Sequence, residues 1–354
     1  MRLLIVNPGS TSTKVAIFED GRSAVAETLR HSNEALAQFP QVSDQLEFRS
    51  QAVREFLMSN GNPKLDAVVG RGGLLPPMPS GVYEVDDDIY DKLLHPKGQH
   101  ASNLGGLIAR GIASERGIKA FIADSVTTDE LCELARYSGH PMMQRVSIFH
   151  ALNQKSVARR ASADLGKPYE EANLIVCHLG GGVSVGAHLK GRVVDVANAL
   201  DGEGPFAPER AGTLPLTGLI DLCFSGQYTH AQTRKLLSGG GGFVAHIGTN
   251  SGTKLEEMVM AGDEHAILIE KAFVYGIVKE IGRMSAVLEG KVDAVVITGG
   301  LAYSDRICSM IEEKVSSLAK VMRYPGEDEM LALAEAGARA LAPAPRTEKG
   351  GLPF

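Results

Sequence analysis

The sequence predicts an α/β fold in two domains, each built on a mixed sheet and related in topology. Three observations predict it. Short apolar runs of strand length alternate with longer stretches of helical spacing. Tight Gly-containing turns join some of those runs directly, as hairpins. One module, an apolar strand, a polar Gly turn, a second strand and an exit turn, occurs twice half a chain apart. The 354 residues suffice for two such domains, and 44% hydrophobic with 22% charged residues is ordinary for a globular chain.

The elements follow in order. Residues 3–6 are a continuous apolar run that Asn7-Pro8-Gly9-Ser10 interrupts. Residues 14–18 resume it with β-branched residues, and Glu19-Asp20-Gly21-Arg22 reads as a hairpin turn. Residues 65–69 form a buried-type strand leading into Gly70-Arg71-Gly72-Gly73, and 103–115 have helical spacing. Residues 120–123 are a short strand ending at Asp124, and 129–137 read as a helix. Then the opening repeats: strand 174–177, Gly turn 178–182, strand 183–189 and the exit turn Lys190-Gly191-Arg192. At an offset of 171 residues Asn7 meets His178 and Gly9 meets Gly180; a shift of one brings Gly21-Arg22 onto Gly191-Arg192. Residues 239–242 form a tetraglycine loop expected to be flexible, 263–288 a long helix, and 292–297 a strand ending in Thr298-Gly299-Gly300-Leu301-Ala302. A helix over 330–341 is stopped by Pro343 and Pro345.

Composition excludes several classes. A net charge of −6 argues against a general nucleic-acid or anionic-membrane surface, though not against a local phosphate site. The four cysteines have no CxxC pair, which excludes a zinc ribbon and fits reduced thiols in the cytoplasm. The first residues lack the apolar run of a signal peptide, and no apolar segment reaches the length of a membrane span.

The chemistry is expected at the Gly turns. Asn7-Pro8-Gly9-Ser10-Thr11-Ser12-Thr13-Lys14 places three hydroxyls, an amide, a glycine and a lysine after a buried strand, donors suited to phosphate oxygens. It is not a Walker A loop, and a strand follows it. His178-Leu179-Gly180-Gly181-Gly182 lets backbone amides approach an anion closely. Gly299 and Gly300 at a strand end suit a nucleoside lying on the backbone. Gly182-Val183-Ser184-Val185-Gly186 matches the GxSxG pattern of hydrolases, but a nucleophile elbow needs a helix after the serine and this segment reads as strand. Arg71 and Arg210 lie in Gly-rich loops, where functional residues concentrate. Asp124 reads equally as a catalytic or metal-side carboxylate and as a helix N-cap. His150, between apolar neighbours, reads locally as a core histidine.

These residues resemble the acetate and butyrate kinase family. The 7–14 segment is similar to its first signature and Cys177-His178-Leu179-Gly180-Gly181-Gly182 to its second. The segments Arg71-Gly72-Gly73-Leu74-Leu75-Pro76-Pro77, Lys97-Gly98-Gln99-His100-Ala101-Ser102-Asn103 and 201–215 resemble the butyrate branch most. The resemblance implies the acetate and sugar kinase/Hsp70/actin fold, with a nucleotide cleft between an N-terminal domain over 1–148, completed by helix 330–342, and a C-terminal nucleotide-binding domain over 149–329. It implies reversible Mg²⁺-ATP-dependent phosphorylation of butyrate to butyryl phosphate in short-chain fatty acid metabolism, and at least a homodimer. Isobutyrate, propionate and acetate are alternative acids, and a non-catalytic actin-like ATP sensor is an alternative activity. By the resemblance Asn7, Ser10, Ser12 and Lys14 form the first phosphate loop, and His178, Gly180, Gly181 and Gly182 the second. Arg71 and Arg210 hold the carboxylate and the transferring phosphoryl group, Asp124 lies near Mg²⁺, and His150 is catalytic. Phe149, His100 and Pro208 flank the substrate, and Gly299, Gly300, Leu301 and Ala302 hold adenosine. Acetate kinases follow the adenosine motif with a Mg²⁺-side Glu that is absent here, leaving Glu203 and Glu209 as candidate substitutes. Where they carry Arg-Val-Val this chain has Arg71-Gly72-Gly73, so Gly73 is expected to leave room for a longer acyl tail.

Overall fold

A computed structural model describes residues 1–96, 98–200 and 202–342. Lys97, Asp201, Pro343 and Pro345, all invoked above, lie outside the described residues. The chain divides into two compact units. The first comprises Met1–Pro76, Gly81–Ser125 and the described chain from Glu329; the second comprises Pro77–Ser80 and Val126–Asp328.

In the first unit the strands are β1 (Arg2–Pro8), β2 (Ser12–Glu19), β3 (Arg22–Arg30), β4 (Ala67–Arg71), β5 (Val82–Glu84) and β6 (Lys119–Ala123). They form one sheet in the order β3-β2-β1-β4-β6-β5. The β1–β2–β3 meander is antiparallel, β1–β4–β6 is parallel, and β5 runs antiparallel on the edge. The second unit contains β7 (Asn173–Leu179), β8 (Val183–Leu189), β9 (Arg192–Val196), β10 (Ala294–Gly299) and β11 (Lys320–Pro325), in the order β11-β10-β7-β8-β9. It repeats the pattern: an antiparallel meander whose first strand pairs in parallel with β10, and β10 with β11.

The duplication extends to detail. Both meanders turn through a two-residue exit with positive φ at each position, Asp20 (47°) and Gly21 (80°) in one, Lys190 (47°) and Gly191 (84°) in the other. That geometry matches the right-handed twist of the strands it joins. Both carry a register shift just beyond it, at Ile17/Phe18 and at Ala187/His188. The one-residue change of offset lies in the Gly turn: Pro8 pairs with Thr13 across four loop residues, while Leu179 pairs with Val183 across three.

Each sheet is buried by strand alternation. In β7, Ile175, Cys177 and Leu179 join a cluster with Phe273, Ile277 and Ile281 of helix Glu264–Val287. Leu174 and Val176 between them face Val157, Ala158 and Ala161 of helix Ala151–Asp164. A period of two thus gives β7 two dry faces, each large side chain contributing about 1.5–3 kcal/mol. In the first unit helices Asn103–Arg116 and Glu329–Leu341 cover β1 and β4. Gly70 and Gly105 let the first of these approach closely: a Cβ on Gly70 would lie 2.1 Å from the Gly105 carbonyl oxygen.

Two local expectations fail. Residues 129–137 are not a helix; only a short 3₁₀ turn, Leu134–Arg136, forms. The Asp129 carboxylate accepts the Leu131 N–H and both Arg136 guanidinium nitrogens, and the Cys132 N–H donates to the Val194 carbonyl of β9. Side-chain bonds to the backbone compete here with the helical ladder. Nor is the tetraglycine loop a loose linker. Gly241 and Gly242 lie against the backbone of 207–211, where a Cβ on Gly242 (φ +61°) would fall 1.6 Å from the Ala207 carbonyl oxygen.

Candidate active site

In the first unit the 9–12 turn is backed by a residue the motif reading did not single out. Arg49, on helix Leu46–Ser59, is fully buried and donates to the carbonyls of Gly9 (2.9 Å), Ser10 (2.9 Å) and Ser12 (3.0 Å), and to Thr13 Oγ1. Peptide planarity then turns the N–H groups of Ser10 and Thr11 away from Arg49. Burial lowers the Arg49 pKa to about 10, so the guanidinium stays charged at neutral pH. Its spacing to Val53, Phe56 and Leu57, all buried, was the available signal that it lies on the inner helical face. Ser10 and Lys14 are exposed and Ser12 is half-buried.

Arg71 ends β4. Its guanidinium grips Glu329 with two nitrogens, each at 2.9 Å, and Asn7 Nδ2 donates to the same carboxylate at 2.7 Å. His100 Nδ1 accepts the Ser102 N–H at 3.2 Å and lies 2.7 Å from Ser102 Oγ. Burial, and next the charge of Arg71, lowers the His100 pKa. Asp124, at φ +37° just past β6, accepts the Gly81 N–H at 3.0 Å and returns its own N–H to the Gly81 carbonyl. Gly73 does not open space for an acyl tail. A Cβ there would lie 2.4 Å from Asn103 Oδ1 and 2.6 Å from Asn103 Cα, so the glycine is required by the close approach of helix Asn103–Arg116.

In the second unit His178, next to last in β7, is buried, with Nδ1 2.7 Å from Asn153 Oδ1 and Nε2 3.0 Å from Glu327 Oε1. His150 stacks on it, centroids 3.7 Å apart and planes 8° from parallel. Phe149 packs away in an apolar cluster with Leu131, Ala135 and Val196. Arg210 passes over Gly182, where a Cβ would meet its Nη1 at 1.7 Å, and donates from Nη1 to the Ala199 carbonyl at 2.7 Å. The tetraglycine helps hold that arginine: Ser238 bridges Arg210, and the Gly239 N–H donates to the Glu209 carbonyl. Ser184 lies inside β8 with a strand on either side of its hairpins, so the nucleophile-elbow geometry is absent.

A cleft of about 460 Å³ adjoins this loop. Gly180, Gly181, Pro208, Gly300, Leu301 and Glu327 line it, with Asn250, Thr253 and Tyr303. Gly299 has φ +90°, and a Cβ there would lie 2.4 Å from the Leu179 carbonyl oxygen, so this turn needs glycine where it meets the end of β7. Ala302 is fully buried beside it. The volume falls in the range of small-molecule sites.

The carboxylates fit a metal carried by phosphate rather than one caged by protein. Among the described residues no group of three His, Cys, Asp or Glu side chains is placed to hold a metal ion. Glu203 is committed to Arg145 and to the Asn198 N–H. Glu209 is bonded by Asn250 and lies beside Gly181, and Glu327 lies beside Gly180. Mg²⁺ keeps several waters and takes one or two carboxylates with substrate phosphates, so single carboxylates suffice.

Two duplicated meander sheets, each with a donor-rich turn after its first strand, and a cleft beside the second turn define a nucleotide-dependent phosphotransferase of the acetate and sugar kinase/actin fold. A profile of the acetokinase family matches residues 137–348, and the chain belongs to that family. Among solved structures it is similar to Porphyromonas gingivalis acetate kinase, with 20% identity, a TM-score of 0.79, and 96% of this chain and 100% of that one covered. Entamoeba histolytica acetate kinase matches at 16% identity and a TM-score of 0.78, with 96% and 99% covered. A propionate kinase from Francisella tularensis subsp. tularensis SCHU S4 matches at 18% and 0.75, with 95% and 98% covered. These likenesses show the fold. Family membership makes the protein a carboxylate phosphotransferase that acts on a small carboxylate with ATP/ADP as its phosphoryl couple. Among the described residues no helix is long and apolar enough to cross a membrane.

Proposed function

We propose that the protein is a butyrate kinase, catalysing ATP + butyrate ⇌ ADP + butyryl phosphate. The observation that carries the carboxylate half of this reading is the Arg71–Asn7 pair, which holds a carboxylate, that of Glu329, by two guanidinium nitrogens and an amide. A planar fork matched to a carboxylate is what Arg supplies and Lys does not. The choice of butyrate rests on the 7–14 and 71–77 segments, not on a void at Gly73.

The chemistry follows from charge. A carboxylate nucleophile is already ionised near neutral pH, so no strong general base is required. Its attack on the γ-phosphoryl group brings two anions together, and catalysis consists of positioning and offsetting that charge. Arg71 orients the acid. Arg210 and His150 donate to the equatorial oxygens of the transferring group. The Ser10 and Thr11 amides, Ser12, Lys14 and the Gly180–Gly182 amides hold phosphate oxygens, with adenosine against Gly300 and Leu301, while the buried Gly299 and Ala302 support that turn from behind. Mg²⁺, when bound with the nucleotide, neutralises phosphate charge, and Asp124 is the carboxylate we assign to its side. Asp124 orients rather than abstracts a proton.

The test is an acyl-phosphate assay with hydroxylamine trapping at fixed Mg²⁺-ATP. It compares kcat/KM across acetate, propionate, butyrate, isobutyrate and valerate. The expected maximum is butyrate, falling about fivefold per methylene removed, the equivalent of roughly 1 kcal/mol. A maximum at another acid reassigns the substrate within the family. No product with any acid, from folded protein that binds ATP, overturns the catalytic reading.

A further inference from the structure

The GxSxG serine, left without a role by the phosphoryl chemistry, lies in a chain of buried polar side chains that ends on His150. Tyr169 Oη is 2.8 Å from His188 Nδ1; His188 Nε2 is 3.0 Å from Gln154 Oε1; Gln154 Nε2 is 2.8 Å from Ser184 Oγ; and Ser184 Oγ is 2.9 Å from His150 Nδ1. Gln154, Ser184 and His188 have no exposure, and Tyr169 has 5%.

The direction of every hydrogen in the chain follows from one fixed bond. Gln154 Nε2 also donates to the Ser184 backbone carbonyl at 3.0 Å, and a carbonyl only accepts. The amide orientation is therefore set, and Gln154 Oε1 faces His188. His188 must then carry its hydrogen on Nε2. Burial, followed by the charges of Lys155 and Arg159, lowers its pKa well below the usual imidazole value, so Nδ1 keeps its lone pair and accepts from Tyr169. On the other side Ser184 Oγ accepts from Gln154. Its own hydrogen has His150 Nδ1 as its acceptor; turned elsewhere, it would be a buried donor with no acceptor among the described residues. Every bond runs the same way, from Tyr169 to His150.

We propose that Ser184, Gln154, His188 and Tyr169 are positioning residues that fix His150 with its lone pair on Nδ1 and its hydrogen on Nε2. The stack on His178 holds the plane of the ring, and the chain selects which nitrogen donates. The function of that donor rests on the kinase reading above: Nε2–H supplies one hydrogen bond to an oxygen of the transferring phosphoryl group. The opposite tautomer would present a lone pair to an anion.

The tautomer is measurable without turnover. Two-bond ¹H–¹⁵N correlation spectra of the full-length protein labelled at histidine, with peaks assigned through His150→Gln and His188→Gln, should show both rings protonated at Nε2. Ser184→Ala should release that preference, and Ser184→Thr should restore it. Gln154→Glu should reverse it, because the carboxylate then takes the Ser184 hydrogen and leaves Ser184 Oγ to accept from His150 Nδ1. In the acyl-phosphate assay Ser184→Ala and Gln154→Glu should lower kcat at least about tenfold while KM for ATP stays within about twofold, and Ser184→Thr should recover most of the rate. Wild-type His150 protonated at Nδ1 overturns the proposal without any variant. So does a Ser184→Ala protein with an unchanged His150 spectrum. If the spectra behave as expected and no acid is phosphorylated, the chain stands and the kinase reading falls.

Discussion

At the scale of the residue, Arg49 shows how the turn we propose for phosphate is organised from behind. Its guanidinium takes three carbonyls of one turn and so fixes which way those peptides face. Arg49→Met should lower stability by about 3 kcal/mol or more in urea unfolding, since it leaves several buried acceptors without a charged donor. Arg49→Lys should recover only part of that, because one ammonium cannot span the same carbonyls. A loss below about 1 kcal/mol would show that the turn keeps its shape unaided. Glu329 is the complementary case: its carboxylate fills the Arg71–Asn7 pair that we propose for the acid, so Glu329→Ala should lower KM for the acid at least about threefold with little change in melting temperature, and a raised KM would count against that site. The Gly turns and both loop arginines were legible because Gly, Ser, Thr and Arg have few reasons to cluster at strand ends. Arg49 and Glu329 were not, because the turn that Arg49 holds lies 36 to 40 residues away, and the partners of Glu329 258 to 322 residues away, as backbone carbonyls or single side chains.

At the scale of the element, helix Ala151–Asp164 departs from any hydropathy pattern. Asn153, Gln154 and Lys155 are consecutive, polar and buried, each spent on a different partner: His178, the Ser184–His188 pair, and Glu130 with the Gly191 carbonyl. A polar run of that kind reads as a solvated face, and so the helix was not expected. Helix Glu264–Val287 was expected because its apolar spacing is regular over many turns. It nevertheless hides Glu280, whose carboxyl is held above the ordinary carboxylate range chiefly by burial; Oε2 accepts from Arg283, and Oε1 has no hydrogen-bond partner among the described residues. The folded state then binds that proton more tightly than the unfolded chain. Wild-type stability falls as pH climbs from the ordinary carboxylate pKa through the raised one. Glu280→Gln does not titrate, so its melting temperature should exceed the wild type's at about pH 8 and converge with it near pH 4. A difference independent of pH would assign the effect to shape instead of charge.

At the scale of the molecule, the chain returns at its end to the unit in which it began. Helix Glu329–Leu341 packs on β1 and β4, with Gly337 so close that a Cβ would meet Val69 Cγ2 at 2.6 Å and Leu3 Cδ1 at 3.1 Å. Deleting the chain from Glu329 onward should expose Leu3 and Val69, and limited proteolysis should then cut within Met1–Ser125 while Val126–Asp328 stays protected. Equal protection of both would mean that the first unit closes its core without the last helix. The repeat of strand, Gly turn and strand, visible at an offset of 171 residues, was enough to predict two related sheets. The edge strands β5 and β11 were not visible, because neither has the continuous apolar run of a central strand.

The pairing registers of the two sheets also match in detail. β1 and β7 have the same length, the exit turns share their backbone conformation, and the register shifts fall at matching places; the two copies fall out of step only across the Gly turn, four residues in one and three in the other. The two modules therefore differ by one residue between their paired strand ends, and that residue lies within the Gly turn, the part of each module to which the proposed function gives its phosphate contacts.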